Sequence, residues 1–353
     1  MNAQSNSYVE QATKPVFFSE RPVAERPGRP AGDEKADASI LACIDDAPTS
    51  AAVVLHAIAV GRGLELPITL ARVVETTPQI DLPTDPVEWQ LRRNEHRDQL
   101  GRIAALPPGT NSPIGSVLLT GAPADRLSDW AVEHGVPLLA LATHGHSSRR
   151  QTGLGSTAQQ ILERAATSLL LIPPGATPAQ GESNYHKLLV PLDGSCRAES
   201  VLPLASRIAR AHGAEIVLVH VVPKTDLLDN RTEQASDLCI GLAAHNERRA
   251  REYLEELRDK LRGDGIVVST MVAPSGDART QLRQLAIDLR TDLIVLSSHG
   301  QSGLSDVPCG SVTEYLATHA PAPMLIVRPN FIHGCSAQAA KTMSIAESGQ
   351  LPN

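Results

Sequence analysis

The sequence predicts an α/β protein built from two tandem, doubly wound domains, each a five-stranded parallel sheet with helices on both faces. Three observations carry this expectation. The chain has 353 residues, more than the roughly 100–200 of a typical single domain. Blocks of its first half recur in its second half at fixed separations. Within each copy, short aliphatic runs alternate with segments of helical spacing, which is the pattern of parallel strands joined by right-handed crossovers. Aromatic residues make up only 3% of the chain, and the Ala, Val, Leu and Ile that dominate suit a sheet covered on both sides.

The repeat is explicit. "ILACIDD", from Ile40, matches "LLVPLDG", from Leu188, and so aligns Asp45 with Asp193, 148 positions later. Gly121 and Gly276, His144 and His299, and Gly155 and Gly310 are each 155 positions apart. "SLLLIPP", from Ser168, and "PMLIVRP", from Pro323, close the two copies at that same separation. The extra residues of the second copy therefore fall after its second strand. A repeat this long means duplicated domains rather than a solenoid. The expected boundaries are 38–174 for the first domain and 186–330 for the second. Residues 175–185 form the linker, inside the Pro-, Gly- and Ala-rich "PPGATPAQGESNYH". Residues 1–37 and 331–353 show no sustained periodicity and are expected to be disordered tails.

The elements of the second copy follow in order. "KLLVPLD" is a short buried strand. "CRAESVLPLASRIARAHG" has helical spacing and a stop at Gly213, with Pro203 placed to kink it. "AEIVLVHVV" is a strand. "LAAHNERRAREYLEELRDKLRGDG" is a long amphipathic helix ended by Gly263 or Gly265. "IVVSTMVA" is a strand, "DARTQLRQLAIDLR" a helix and "TDLIVLSS" a strand; "SVTEYLATHA" is the last helix and "PMLIVRP" the last strand. That makes five strands and four helices. The first copy repeats the order, with a less regular second helix in "DPVEWQLRRNEHRDQLGRIAAL".

Charge and cysteine usage exclude several classes. A formal charge of −7 opposes a nucleic-acid binder that relies on broad electrostatic attraction. The cysteines at 43, 196, 239, 309 and 335 form no CxxC pair, so neither a disulfide scaffold nor a structural zinc site is expected. A reducing, cytoplasmic setting fits that usage. No apolar run approaches the roughly 18 residues of a membrane span, and the N-terminus lacks the basic start and apolar stretch of a secretory signal.

The repeated glycines point to a binding site. In an open parallel sheet, ligands occupy the crevice beyond the carboxyl ends of the strands. The first strand of each copy ends at Asp45 or Asp193; the fourth ends at Leu141 or Leu296 and runs into a His-Gly loop at Gly145 or Gly300. Gly155-Ser156 and Gly310-Ser311 then open a helix. Free N–H groups at a helix start attract phosphate, and glycines let backbone approach it closely. Ser156 and Ser311 can add a hydroxyl donor, and Asp45 and Asp193 can accept from ribose hydroxyls. Structural duties compete with these roles: a serine opening a helix also serves as a cap, and an aspartate at a strand end also forms turns. For His144 and His299, ligand contact and loop support remain equally open.

Other motifs are weaker. There is no Walker lysine and no Gly-x-Ser-x-Gly elbow. "GLGSTA", from Gly153, matches a dinucleotide fingerprint by letter, but it follows a polar loop rather than the first strand, and the second copy has "PCGSVT" there. Cys309, at a helix start, can have a lowered pKa, but Leu154 takes its place in the first copy, and a buried inert thiol is the simpler reading.

These residues resemble the universal stress protein family in its tandem two-domain form. That family carries Gly-x2-Gly-x9-Gly-Ser/Thr after the fourth strand and an Asp after the first; "DGS" at Asp193 and "HAPAPMLIVRP" from His319 are typical of it. The resemblance covers about residues 38–174 and 186–330. It implies a three-layer α/β/α fold, flavodoxin-like and of the adenine-nucleotide-α-hydrolase type, with ATP, with or without Mg2+, along the glycine loop. It also implies adenine against the end of the second strand, at Val73 and Val221. The rest of the implied site is Leu141, Ala142 and Thr157 in the first copy, and Pro191, Leu192, Leu296, Ser297 and Val312 in the second. The first glycine of the pattern is replaced by Ala142 and Ser297, where a positive φ would be strained. Asp46 in the first copy adds a charge that opposes a nucleotide, while Arg149 and Arg150 can meet phosphate and the second copy has Asp306 in its loop.

The expected function is that of an ATP-binding stress regulator rather than a fast enzyme, working through unknown regulatory protein partners, with no nucleic-acid or membrane partner. The resemblance also implies that "LLLIP" and "MLIVR" pair the two domains as an intramolecular pseudo-dimer, and that whole chains can form a homodimer. Two alternatives stand beside this: a slow nucleotide-hydrolysing or adenylate-forming enzyme of the same fold, and a stress scaffold that binds no nucleotide.

Overall fold

The computed structural model describes residues 38–75, 86–105, 114–145, 153–176, 184–223, 233–263, 265–300 and 309–329. The first half runs β1 (Ile40–Cys43), α1 (Ser50–Leu64), β2 (Ile68–Val74), α2 (Pro86–Ala104), β3 (Gly115–Thr120), α3 (Pro123–Glu133), β4 (Leu138–Ala142), α4 (Ser156–Arg164) and β5 (Ser168–Ile172). The second runs β6 (Lys187–Pro191), α5 (Cys196–Glu199), α6 (Leu202–His212), β7 (Glu215–Pro223), α7 (Glu233–Arg262), β8 (Val268–Gly276), α8 (Ala278–Asp288), β9 (Leu293–Ser297), α9 (Ser311–His319) and β10 (Met324–Val327).

The strands form one sheet in the order β3-β2-β1-β4-β5-β10-β9-β6-β7-β8. Within each half the pairing is parallel. The chain direction of the winding reverses between β1 and β4, and again between β6 and β9, which places a crevice at each of those points. The halves meet where β5 and β10 pair antiparallel, with Leu171 opposite Met324 and Leu169 opposite Ile326. Alternate residues of these strands enter opposite layers. Leu170 and Leu325 face the layer of α1, α6 and α7; Leu169, Leu171, Met324 and Ile326 face that of α3, α4, α8 and α9.

Helix α1 is buried along most of its length because it lies between the sheet and α6 of the other half. Polar clasps fix that contact. Arg207 donates Nη2 to the Leu64 carbonyl at 2.7 Å. His212 Nε2 lies 2.9 Å from the Ala59 carbonyl, and His56 Nε2 lies 2.8 Å from that of Ala176; carbonyls only accept, so both nitrogens donate. His56 Nδ1 is 3.0 Å from the Tyr185 hydroxyl. Tyr185 belongs to the segment expected as linker, yet only 2% of its surface is exposed. Residues 177–183 of that segment, and the two expected tails, lie outside the described residues.

Two expectations are corrected. The single helix expected over 196–213 is two helices, α5 and α6, broken at Ser200–Val201. A continuous helix needs an N–H at position 203 to reach the Glu199 carbonyl; Pro203 has none, and instead takes the first turn of α6, where that N–H is not needed. Helix α7 reaches back to Glu233, further than the apolar spacing suggested. Its end is marked by Gly265, with φ 75°, whose N–H bonds to the Arg262 carbonyl at 3.0 Å.

Candidate functional site

Both crevices are built the same way. After β1 the Asp45 carboxylate turns back on its own loop: Oδ1 accepts from the Ala47 N–H at 2.9 Å. The Ser50 hydroxyl lies within 3.0 Å of the nitrogen, carbonyl and Oδ1 of Asp45. After β6, Asp193 Oδ1 accepts from the Ser195 N–H at 3.0 Å and the Ser195 hydroxyl at 2.6 Å. Ser195 Oγ also caps α5 by accepting from the Ala198 N–H at 3.1 Å. Each aspartate is therefore a turn former.

The other oxygen of each carboxylate meets the glycine loop. A Cβ on Gly300 would lie 2.1 Å from Asp193 Oδ2, and one on Gly145 would lie 2.9 Å from Asp45 Oδ2. These glycines are set by that close approach, not by a left-handed backbone, since neither has positive φ. The strain foreseen at the pattern's missing first glycine is likewise absent, because Ala142 and Ser297 do not have positive φ.

The helix starts behind the loops are uncapped by side chains. Gly155 and Gly310 occupy the cap positions with extended backbone, φ −63° and −71°. Their own N–H groups bond to the Thr143 and Ser298 carbonyls at 2.8 Å, so they fold the loop rather than face a ligand, which corrects the role expected of those two amides. The first intrahelical donors are Gln159 and Glu314, which bond to the Gly155 and Gly310 carbonyls. The amides of Ser156, Thr157 and Ala158, and of Ser311, Val312 and Thr313, come before them, where a helix leaves N–H groups unpaired within itself. Ser156 and Ser311 are the first helical residues and are exposed; neither is the cap.

The remaining expected residues sort by their surroundings. Leu141, Leu192 and Leu296 are each 4% exposed, so their side chains belong to the core and only their backbone borders the crevice. Pro191, Val73 and Val221 sit at or near the ends of β6, β2 and β7. The Ser297 hydroxyl donates to the His299 carbonyl at 2.6 Å, and the Thr313 hydroxyl to the Ser297 carbonyl at 3.1 Å, so both brace the loop. His144 and His299 each place Nδ1 about 3 Å from the hydroxyl of the preceding residue, Thr143 or Ser298. Those hydroxyls were missed, although "THG" and "SHG" show one before each histidine.

The extra charge at Asp46 is answered. Arg72, 5% exposed and within β2, donates Nη2 to Asp46 Oδ2 at 2.5 Å and Nη1 to Gln99 Oε1 at 2.8 Å. The Arg72 hydrogen bond holds the Asp46 carboxyl below its usual range, with its charge and Gln99 helping. Cys309 is buried, and burial pushes its thiol up, the reverse of an activated thiolate. Among the described residues, no group of three or more His, Cys, Asp or Glu side chains is placed to hold a metal, and no helix is long and apolar enough to cross a membrane. Arg149, Arg150 and Asp306 lie outside the described residues.

The fold and the crevices define a class: a tandem, doubly wound α/β protein whose two glycine loops each end in an uncapped helix start. Comparison makes that class specific. The model of the "Universal stress protein family" matches residues 38–173 and again 184–328, and the chain belongs to that family, with two copies in tandem. Single-domain relatives match one copy. Universal stress protein MJ0577 of Methanocaldococcus jannaschii is 25% identical over 158 residues, 41% of this chain and 95% of its own. Universal stress protein Sll1388 of Synechocystis is 27% identical over 152 residues, 41% of this chain and 98% of its own. The crystal structure of a universal stress protein from Archaeoglobus fulgidus shares the fold, with a TM-score of 0.57 and 15% identity over 82% of this chain and 98% of that one.

Proposed function

We propose that the protein binds an adenine nucleotide, ATP in the first instance, at the two glycine loops, and acts as a nucleotide-dependent regulator in the stress response. Family membership supports the stress-response role. One observation carries the nucleotide reading: in both halves, a glycine at the cap position leaves the amides of the following three residues without an intrahelical acceptor, beside an exposed serine. A helix start of this kind attracts phosphate through oriented N–H groups and the positive end of the helix dipole.

In this reading the triphosphate lies against Ser156, Thr157 and Ala158 in the first half, and against Ser311, Val312 and Thr313 in the second. Asp45 and Asp193, already fixed through Oδ1, present their carboxylates toward the ribose. The backbone at Val73 and Val221 meets the adenine. Any Mg2+ enters with the nucleotide's phosphates. The chain's own groups bind and orient; the reading assigns no general base, so the protein is a binder whose output is conformational.

Equilibrium dialysis with labelled ATP tests this. Wild-type protein is expected to retain ATP, and Gly155→Asp with Gly310→Asp to lose it, since a carboxylate at each helix start repels phosphate. Unchanged retention in the double variant overturns the assignment. Turnover well above about 1 per second, the low end of ordinary enzymes, would replace a regulator with an enzyme.

A further inference from the structure

A cavity of about 310 Å3 opens across the seam where β5 and β10 pair. One wall comes from the first half: His144, Gly153, and the Pro173–Pro174 pair after β5. The facing wall comes from the second half: Arg283 of α8, and Ala317, His319 and Pro321 around the end of α9. Neither half builds it alone. Among the described residues, its ionisable lining is two imidazoles and a guanidinium, with no carboxylate.

The polar groups are held in place. Arg283 donates Nε to the His319 carbonyl at 3.1 Å, which anchors the guanidinium at the rim. His144 Nδ1 is engaged by the Thr143 hydroxyl, while its Nε2 is shut off from solvent without a hydrogen-bond partner.

The repeat provides an internal control, because equivalent residues lie 155 positions apart. The counterpart of Pro173 is Arg328, and that of Ala317 is Leu162. Arg328 donates Nη2 to the Leu162 carbonyl at 2.6 Å, so a guanidinium and a longer aliphatic side chain stand where Pro173 and Ala317 leave room. The counterparts of Arg283 and His319 are Ser128 and Arg164, and Arg164 is turned to Asp125 at 3.3 Å. Both corners carry basic side chains, and what distinguishes this side of the seam is the room that Pro173 and Ala317 leave.

We propose that this seam cavity binds a small organic anion, a carboxylate or phosphate monoester with a short apolar body. The anion lies against the Arg283 guanidinium at the rim, and the body packs on Pro173, Pro174 and Ala317. The volume suits it, being at the small end of the roughly 300–1,000 Å3 of ligand pockets. The cavity adjoins the first glycine loop through Thr143, His144 and Gly153, whereas Ser156, Thr157 and Ala158 of the α4 start are not among its described lining residues.

The test uses the full chain and three probes, butyrate, butyl phosphate and butanol, followed by saturation-transfer NMR and calorimetric titration. At least one anion is expected to bind and butanol not to. Pro173→Arg, which installs the counterpart's side chain, and Arg283→Gln are each expected to weaken the anion at least tenfold, with the labelled-ATP dialysis result unchanged. If Pro173→Arg does not fold, Arg283→Gln decides. Binding of neither anion, or binding indifferent to Arg283→Gln, overturns the proposal. So does phosphate-ester binding that Gly155→Asp abolishes while both seam variants keep it, since that locates the anion at the helix start.

Discussion

Gly63 of α1 lies directly against the backbone of Ile208 in α6: a Cβ on Gly63 would sit 2.8 Å from the Ile208 Cα. Two helices from different halves approach this closely only because one of them has no side chain there. The contact ties the halves together on one face of the sheet, as the β5–β10 pair ties them within it.

Gly63→Ala is therefore expected to destabilise the protein, by about 1–3 kcal/mol, as overpacking does. Gly101→Ala in the exposed part of α2 is the control. A Cβ there meets nothing within 4 Å, and replacing a helical glycine by alanine stabilises by about 0.5–1 kcal/mol. Denaturant unfolding of both variants checks the opposite signs.

Gly300→Ala forces a methyl against Asp193 Oδ2, because the 2.1 Å approach is too short for any carbon. The same change at Gly145 faces a gentler 2.9 Å. Gly300→Ala is expected to cost more than Gly145→Ala, and Asp193→Ala is expected to relieve part of that cost. A double-mutant cycle between positions 193 and 300 should show a coupling of at least about 0.5 kcal/mol; additivity would separate the two residues.

Acid should loosen the clasp at His56. Burial holds its pKa below the ordinary value, although the Ala176 carbonyl and the Asp292 charge oppose the shift. Tyr185 accompanies it, and His212, itself lowered chiefly by burial, packs edge-on to Tyr185. A depressed histidine favours the folded state most when neutral. Its contribution is present above the unfolded pKa of about 6.5 and is lost as pH falls from there through the folded value. Stability is expected to decline below about pH 6.5, by at most about 1.4 kcal/mol per pH unit for this residue. His56→Gln should flatten that part of the curve in pH-dependent chemical denaturation.

Arg72 is buried and Asp46 is half exposed, so the two ends of their ion pair are not equivalent. Asp46→Ala leaves a buried guanidinium with only Gln99, and is expected to cost about 3 kcal/mol. Arg72→Met leaves a carboxylate that water can reach and should cost less. Thermal unfolding of the two variants at neutral pH distinguishes them; equal losses would mean that the pair contributes only packing.

Much of the site was legible from letters alone because it is duplicated. Asp45 and Asp193, the His-Gly loops and the Gly-Ser helix starts recur at fixed spacing, and repetition turns a weak motif into a strong one. The reasons for the glycines were not legible. Spacing cannot show that Gly145 and Gly300 make room for a carboxylate, or that Gly155 and Gly310 use their amides to close the loop. Nor could it show that Arg72, 26 positions from Asp46, would answer that charge.

By itself, the sequence determined the two-copy plan, the alternation of strands and helices, and the residues that flank each crevice, because periodicity and repetition are local properties of a chain. The pairing of β5 with β10 is the one the family resemblance implied; only the tertiary structure decided what else joins the copies: Gly63 against Ile208, Tyr185 drawn into the core, and an open cavity on one side of the seam. Those features arise from contacts between residues more than a hundred positions apart, where the outcome depends on which side chain is absent as much as on which is present.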